Sequence, residues 1–290
     1  MTRVIERERL HRQDPRLGRH ILHDSESRRY AFRAPVVTEL RAVRHQRYVP
    51  IFNQGAIGSC TGNAAVGCLA TGPFYATVNA GDAAWLRPLD ETAAVACYSQ
   101  ATAIDPWPGT YKPEDTGSDG LSVAKVLTQA GAIAGYQHTF TLLDALAALM
   151  DRPLITGTWW TYDMYEPTRD GLVTPSGRDV GGHEYVVAGY DPVRGWVWFD
   201  NSWSPVYGVD GSFAMEAERY GDLLARDGDV TVFTPATEPA PVPDPPSPAD
   251  AADRALWDNR RVRDFAGKDC HPYRPVRAAL RAHRDAKGLN

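Results

Sequence analysis

Residues 53–65 read NQGAIGSCTGNAA, a glycine-rich turn that leads directly into a run of small apolar residues. The small apolar run predicts a buried helix that begins at Cys60 and is entered through the loop at residues 50–59. A thiol at the first position of a helix faces the positive end of the helix dipole, which favours the thiolate. Cys60 is therefore a candidate nucleophile, and an inert buried cysteine is the alternative on this segment alone.

Outward from this segment, helical patterns come first along the chain and strand patterns second. Helices are predicted at residues 60–78, 91–104, 121–130 and 142–150. Strands rich in β-branched and aromatic residues are predicted at 154–159, 184–189, 196–200, 211–215 and 230–233. This order predicts an α+β protein with two packed lobes.

The chain has 290 residues, of which 43% are hydrophobic. This length and composition predict one domain with a substantial core, together with extensions. Residues 1–47 form a basic N-terminal arm with 12 Lys and Arg against 6 Asp and Glu, and residues 48–234 form the main domain. Residues 235–249 contain seven prolines and predict an extended linker, and residues 250–290 predict a short helical tail. The basic termini are expected to dock on the acidic body or on an anionic partner. Nucleic acid is not expected, because neither end interleaves aromatic with basic residues.

The cysteines and the N-terminus indicate the cellular compartment and the absence of disulfide, metal and cofactor signals in the sequence. Cys60, Cys68, Cys97 and Cys270 contain no close pair, so neither a disulfide framework nor a metal site is predicted, and no cofactor is expected. The adjacent Cys270 and His271 lack further ligands. The N-terminus is charged throughout and no run is long enough to span a bilayer, which predicts a cytoplasmic protein without a membrane partner.

Two further segments carry candidate catalytic side chains. His183 stands in GGHEYVVAGYD (181–191), at the start of a predicted strand where its ring can face a cleft. Asn201 stands in FDNSWSPVYGVDGSFAM (199–215), and an amide there can orient an imidazole without neutralising it, with Trp203 excluding water. Taken singly, a structural histidine and a turn asparagine followed by a packed tryptophan are the alternatives.

Together these three segments resemble, in order and spacing, the active-site segments of papain-like cysteine peptidases. From Cys60 to His183 the interval is 123 residues, and from His183 to Asn201 it is 18. The resemblance covers residues 48–233, including DALAALMDRPLITG (144–157), which is similar to the start of the family's β lobe.

The resemblance implies a two-lobe fold, with a helical lobe followed by an antiparallel β lobe and the active-site cleft between them. It implies a cysteine peptidase that hydrolyses polypeptide substrates, in which Gln54 and the Cys60 N–H hold the oxyanion. The loop TGSDG (116–120) is similar to a loop that pairs with extended substrate in the family, and a solvated loop is the alternative. The implied substrate-binding residues are Gly58, Ser59, Gly117, Gly120, Gly182, Glu184 and Trp203.

The sequence also departs from the family pattern. Ile57 and Thr61 replace the usual cysteine and aromatic residue beside the nucleophile, which agrees with a reducing compartment and alters the wall of the cleft. If Glu184 lines the pocket for the substrate residue preceding the scissile one, it favours a basic side chain there; a solvated strand-edge glutamate is the alternative.

The long helical propeptide typical of the family is absent, although residues 1–47 are able to cover the cleft. A phage-associated amide hydrolase acting on cell-wall peptides and a catalytically silent peptide-binding scaffold are the alternative functions.

Overall fold

A computed structural model of the chain describes residues 14–22, 30–32, 39–78 and 83–238. The predictions for the tail at 250–290, and for the linker beyond residue 238, concern residues outside these ranges. Within the described ranges, no helix has both the length and the apolar character needed to cross a membrane.

The helices of the described chain lie mainly in its first half. They are α1 Cys60–Leu69, α2 Phe74–Val78, α3 Glu91–Thr102, α4 Gly120–Gln129, α5 Leu142–Leu149 and α6 Ala217–Ala225, with short 3₁₀ turns at Ala84–Leu86 and Tyr162–Tyr165. The predicted helix at residues 60–78 is wrong in its continuity, because it breaks between α1 and α2. Pro73 lies at this break, and a proline inside a helix removes a backbone donor and clashes with the preceding turn.

The strands form one antiparallel sheet. They are β1 Val43–Arg44, β2 Ile133–Thr139, β3 Leu154–Thr161, β4 Asp179–Asp191, β5 Trp196–Asp200, β6 Ser212–Glu216 and β7 Asp229–Pro235. The order across the sheet is β2-β7-β3-β4-β5-β6, and β1 pairs with β4. All five predicted strands are present, whereas β2 and α6 were not predicted. The prediction that His183 begins a strand is wrong, because β4 starts at Asp179 and carries His183 in its interior.

Strand β4 separates two hydrophobic cores. Tyr185 and Val187 belong to the core shared by the sheet with α5 and α6, whereas Val186 and Ala188 belong to the core shared with α1, α3 and α4. Side chains alternate between the two faces of a strand, so each lobe packs on its own face of β4. The predicted α+β architecture, a helical lobe and a β lobe, is confirmed.

Helix α1 lies in the helical lobe with all ten residues buried. Its small side chains allow α3 to approach closely: a Cβ atom on Gly62 would collide with the Ala94 carbonyl oxygen and contact the Tyr98 side chain. The AAVGCLA pattern that predicted a buried helix therefore reflects close helix packing, which places the start of α1 firmly against its neighbours.

Candidate active site

Cys60 is the first residue of α1 and is completely buried. The side chain of Ser59, the residue before Cys60, forms no capping hydrogen bond to the first turn of α1. Such an end carries a partial positive charge, which favours a thiolate. Burial raises the thiol pKa of Cys97 to about 12 and also raises the pKa of Cys68, so these two cysteines stay protonated.

His183 points from β4 into an aromatic enclosure and is also completely buried. Its ring centroid lies 5.0 Å from that of Trp160, edge to face, and 4.8 Å from that of Trp203. Trp203 follows β5 and lies against the imidazole with an interplanar angle of 31°. The enclosure restricts rotation of the imidazole and keeps water from it.

Asn201 fixes the tautomer of His183. Its Oδ1 atom lies 2.8 Å from Nε2 of His183 and also accepts a hydrogen bond of 2.8 Å from the backbone N–H of Ser202. Because Oδ1 is the acceptor in both contacts, Nε2 carries the proton of the neutral ring. The other ring nitrogen, Nδ1, is buried and has no hydrogen-bond partner among the described residues, so its lone pair is available to accept a proton.

Burial dominates the proton affinity of this histidine. It lowers the pKa of His183 to about 4, and the hydrogen bond to Asn201 opposes the effect without reversing it. The ring is therefore neutral at pH 7 in this structure, as a general base must be.

Gln54 is held at the same site from both ends of its amide. Its Oε1 accepts a hydrogen bond of 2.6 Å from the Ser202 hydroxyl, which sets the direction of the NH₂ group. Nε2 donates to the carbonyl oxygens of Ile57 at 2.8 Å and Arg16 at 3.0 Å. The side chain predicted to hold an oxyanion thus donates to a peptide carbonyl of the N-terminal arm.

Residues 14–20 of the arm run through the cleft between the two lobes. Leu17 packs against Gly181, and the Arg16 guanidinium lies 4.1 Å from the ring centroid of Trp203. A Cβ atom on Gly18 would collide with the carbonyl oxygen of Gly58, so only glycine permits this close approach. In this arrangement the arm lies against Gly58, two residues before Cys60, and against Gly181 and Gly182, the two residues before His183.

The arm also pairs with the cleft through its backbone. Arg19 donates to the Gly182 carbonyl at 3.1 Å, Ser118 donates to the Gly18 carbonyl at 2.9 Å, and His20 donates to the Ser118 carbonyl at 2.6 Å. The TGSDG loop therefore pairs with the N-terminal arm of the same chain, through Ser118.

The predicted substrate contacts at Gly117 and Gly120 take other positions. The N–H of Gly117 donates to the Tyr98 hydroxyl at 2.8 Å, which removes it from pairing with an extended chain. Gly120 starts α4 and faces the Glu184 carboxyl. Tyr98 in turn donates to Asp115, which accepts from the Gly58 N–H, so these side chains join the two loops of the cleft.

The remaining predicted substrate contacts are neighbours in sequence of the candidate catalytic residues. Gly58 and Gly182 both contact the arm, and Ser59 is buried with its hydroxyl accepting from the Asn63 amide. Glu184 is fully buried, so the alternative of a solvated strand-edge glutamate is wrong. Among the described residues, no group of three or more His, Cys, Asp or Glu side chains is arranged to bind a metal ion.

Solved structures share this architecture. Xylellain, a cysteine protease from Xylella fastidiosa, superposes with a TM-score of 0.57 at 18% identity, over 80% of this chain and 99% of that chain. The proform of the ragweed pollen cysteine protease Amb a 11 superposes with a TM-score of 0.50 at 16% identity, over 73% of this chain and 62% of that chain.

The chain has the papain-like fold. No protein-family model and no curated protein matches its sequence, so the fold rests on the structural similarity. In this papain-like chain hydrogen bonds connect Gln54 to Ser202 and Asn201 to His183, and Cys60 stands at the first position of α1.

Several residues of the papain-like cleft were missed by sequence reasoning. Ser202, which orients Gln54, follows Asn201 directly, and its position beside a candidate catalytic residue was an available signal. Asp115 and Asp229 had no such signal, because neither stands beside a candidate catalytic residue in the sequence. Arg19 lay in an arm whose charge pattern did not distinguish one arginine from another.

Proposed function

We propose that this chain is a cysteine peptidase that cleaves polypeptides through Cys60 and His183. The observation that carries the proposal is the tautomer of His183: Asn201 holds the proton on Nε2 and leaves Nδ1 as the basic atom. Cys60 at the start of α1 supplies a thiol with a helix N-terminus behind it. A neutral orienting amide, rather than a carboxylate, keeps the imidazolium charge available to the thiolate.

Each residue has a defined step in the reaction. Nδ1 of His183 takes the Cys60 proton, and the thiolate attacks the peptide carbonyl carbon. The oxyanion then accepts hydrogen bonds from Nε2 of Gln54 and the backbone N–H of Cys60. The imidazolium returns its proton to the amine as the C–N bond breaks, leaving a thioester on Cys60. Water attacks that thioester while His183 takes the water proton, and the departing thiolate regains it.

The position of the Arg16 carbonyl supports a peptide substrate. Nε2 of Gln54 already donates to this backbone carbonyl at 3.0 Å, in a segment that lies extended along Gly182 and Ser118. A site that accepts backbone carbonyl and N–H groups in this way is suited to an extended polypeptide. For cleavage, a substrate must place the carbonyl carbon of its scissile bond within reach of the Cys60 thiol while Nε2 of Gln54 donates to the carbonyl oxygen.

The test requires a cleft from which the arm is displaced. Gly18→Val places a side chain where the Gly58 backbone lies, and Leu17→Asp places a charge where the arm packs on Gly181, so both variants open the cleft by different routes. In these full-length chains iodoacetamide is expected to modify Cys60 at neutral pH about 10² times faster than Cys68 or Cys97. Mass spectrometry of tryptic peptides measures all three sites in one sample.

The decisive comparison adds His183→Ala to the open variants. The added substitution is expected to remove both the rapid labelling of Cys60 and the hydrolysis of casein, because the thiol loses its base. Labelling of Cys60 that is indifferent to His183→Ala contradicts the proposal and favours a peptide-binding scaffold. Hydrolysis of purified peptidoglycan with casein left intact assigns the chemistry to cell-wall peptides instead.

A further inference from the structure

Arg19 places a fully buried guanidinium in the papain-like cleft. Burial of such a charge is costly unless carboxylates meet it. Nη2 of Arg19 lies 2.7 Å from Oδ2 of Asp229 and donates to the Asp227 carbonyl at 2.9 Å, and Nε lies 3.8 Å from Oε2 of Glu184. The guanidinium therefore ends among acidic groups that come from β4 and from the start of β7.

Two glycines make the space for this side chain. A Cβ atom on Gly157 of β3 would collide with Nε of Arg19, and one on Gly120 of α4 would lie 2.8 Å from Oε1 of Glu184. Gly157 pairs with Glu184 across the sheet, so the gap in β3 lies directly beside the carboxyl. We call the space bounded by Gly120, Gly157, Glu184 and Asp229 the arginine pocket.

The arginine pocket contains more acidic groups than Arg19 satisfies. Both oxygens of Glu184, Oδ1 of Asp229, and Nε and Nη1 of Arg19 are buried without a hydrogen bond among the described residues. Burial and the neighbouring Asp229 hold the pKa of Glu184 well above its usual range, and Arg19 at 3.8 Å opposes this only in part. Arg19 therefore matches the charge of the pocket but leaves much of its hydrogen-bonding capacity unused.

The arginine pocket opens beside the catalytic groups. The backbone N–H of Arg19 bonds the carbonyl of Gly182, the residue before His183, and Gly18 lies against Gly58, two residues before Cys60. The arm thus uses the backbone groups that an extended substrate would use, with one side chain directed into the pocket. A side chain at the corresponding position of a bound peptide enters the same space.

We propose that the arginine pocket is the specificity pocket of this enzyme, which takes an arginine side chain of the polypeptide substrate, and that Arg19 occupies it until substrate displaces the arm. The inference rests on the proposed peptidase function. It names the substrate class, polypeptides with arginine at one fixed position near the cleaved bond. It also makes the arm a competitor for the cleft, since the arm and the substrate need the same carboxylates.

Binding is tested separately from catalysis, in the full-length Arg19→Ala variant. Nα-acetylarginine amide is expected to raise its thermal unfolding temperature, and the uncharged isostere Nα-acetylcitrulline amide is expected to bind about tenfold more weakly or worse. If Arg19→Ala does not fold, the open Gly18→Val chain takes the same titration. Equal shifts with the arginine and citrulline compounds overturn the assignment of the pocket.

Hydrolysis is then measured in the Gly18→Val chain with peptides that differ only in arginine, citrulline or norleucine at each position around the cleaved bond. At one position arginine is expected to raise kcat/KM about tenfold or more over both analogues. Asp229→Asn is expected to abolish that ratio. The matched control Asp191→Asn, a surface acid near Arg194, is expected to retain it.

The outcomes separate the two proposals. Arginine-selective binding without any hydrolysis contradicts the peptidase function and leaves the pocket assignment supported. Hydrolysis with no arginine preference at any position overturns the inference and leaves the peptidase function supported.

Discussion

His183 and Glu184 are adjacent in β4 and equally buried, yet they face opposite surroundings. His183 lies among aromatic rings and has one amide partner, whereas Glu184 lies beside a guanidinium and another carboxyl. Burial lowers the pKa of His183 and raises that of Glu184, and the Arg19 guanidinium opposes the shift at Glu184 by favouring its charged carboxylate. Strand alternation thus allows two consecutive residues to serve the two proposed tasks, proton transfer on one face and recognition of arginine on the other.

The largest expected effect is on the His183 face. His183→Ala in the open Gly18→Val chain is expected to lower kcat by about 10³-fold or more, because the thiol loses its base. Peptides with arginine and with norleucine should lose activity alike, as the change removes chemistry rather than recognition. Steady-state kinetics on both peptides checks this. His45→Gln is the control, because the ring of His45 contacts the carbonyl of Leu149, 104 residues further along the chain.

On the Glu184 side of β4, Asp119 is expected to make the stability of the fold depend on pH near neutrality. Its carboxyl caps α4 by accepting a hydrogen bond from the Ser122 N–H. Burial raises the pKa of Asp119 to about 7 from 3.8, with Asp105 and Asp229 adding to the effect. The folded state therefore keeps a proton that the unfolded chain releases near pH 4. The stability that this proton confers is complete below pH 4 and is lost as the pH rises towards 7.

Asparagine at position 119 does not titrate and can still cap the helix. The unfolding free energy of Asp119→Asn relative to the parent is expected to rise between pH 4 and pH 7, by about 4 kcal/mol at most. Urea unfolding at several pH values measures this. Asp90→Asn makes the same change at the half-buried cap of α3 and serves as the control. A parallel pH profile for Asp119→Asn and the parent would contradict the raised pKa.

Glu184→Gln tests whether the two faces are independent. In the open chain we expect the preference for arginine over norleucine to fall about tenfold, since one carboxylate is lost from the arginine pocket. The ratio of kcat/KM for the paired peptides is the measurement. An equal loss on both peptides would show that Glu184 acts through its neighbour His183, and the comparison between the faces would fail.

The smallest effect is expected at Ser202, which orients Gln54 through the 2.6 Å hydrogen bond to Oε1. Ser202→Ala allows the amide to rotate, so kcat should fall about threefold to tenfold with little change in KM. Ser202→Thr retains the hydroxyl and should restore kcat. A change confined to KM would assign Ser202 to substrate binding instead.

The helices and strands were predicted from local sequence patterns, and the errors in these predictions have identifiable physical causes. Residues 60–78 kept an apolar pattern through Pro73, so the break between α1 and α2 was missed although the proline was visible. Strand β2, IAGYQHT, contains too few β-branched residues for a strand prediction, and its pairing with β7 stabilises it nonetheless. For such segments tertiary pairing outweighs intrinsic propensity.

The candidate catalytic residues were identifiable from sequence because each stands in a segment with its own signature. Cys60 follows a glycine turn, His183 follows two glycines, and Asn201 precedes a serine and a tryptophan. These neighbours shape the local backbone, so the pattern and the chemistry share one short stretch of chain.

Sequence alone thus determined the α+β architecture and the candidate set of Gln54, Cys60, His183 and Asn201. The path of the arm through the cleft and the arginine pocket were settled by the folded chain. Arg19 and Asp229 stand 210 residues apart, and nothing in the neighbours of either predicts the other. Their contact forms because β4, β7 and α4 pack around one buried space, and a buried guanidinium is stable only where that packing supplies carboxylates.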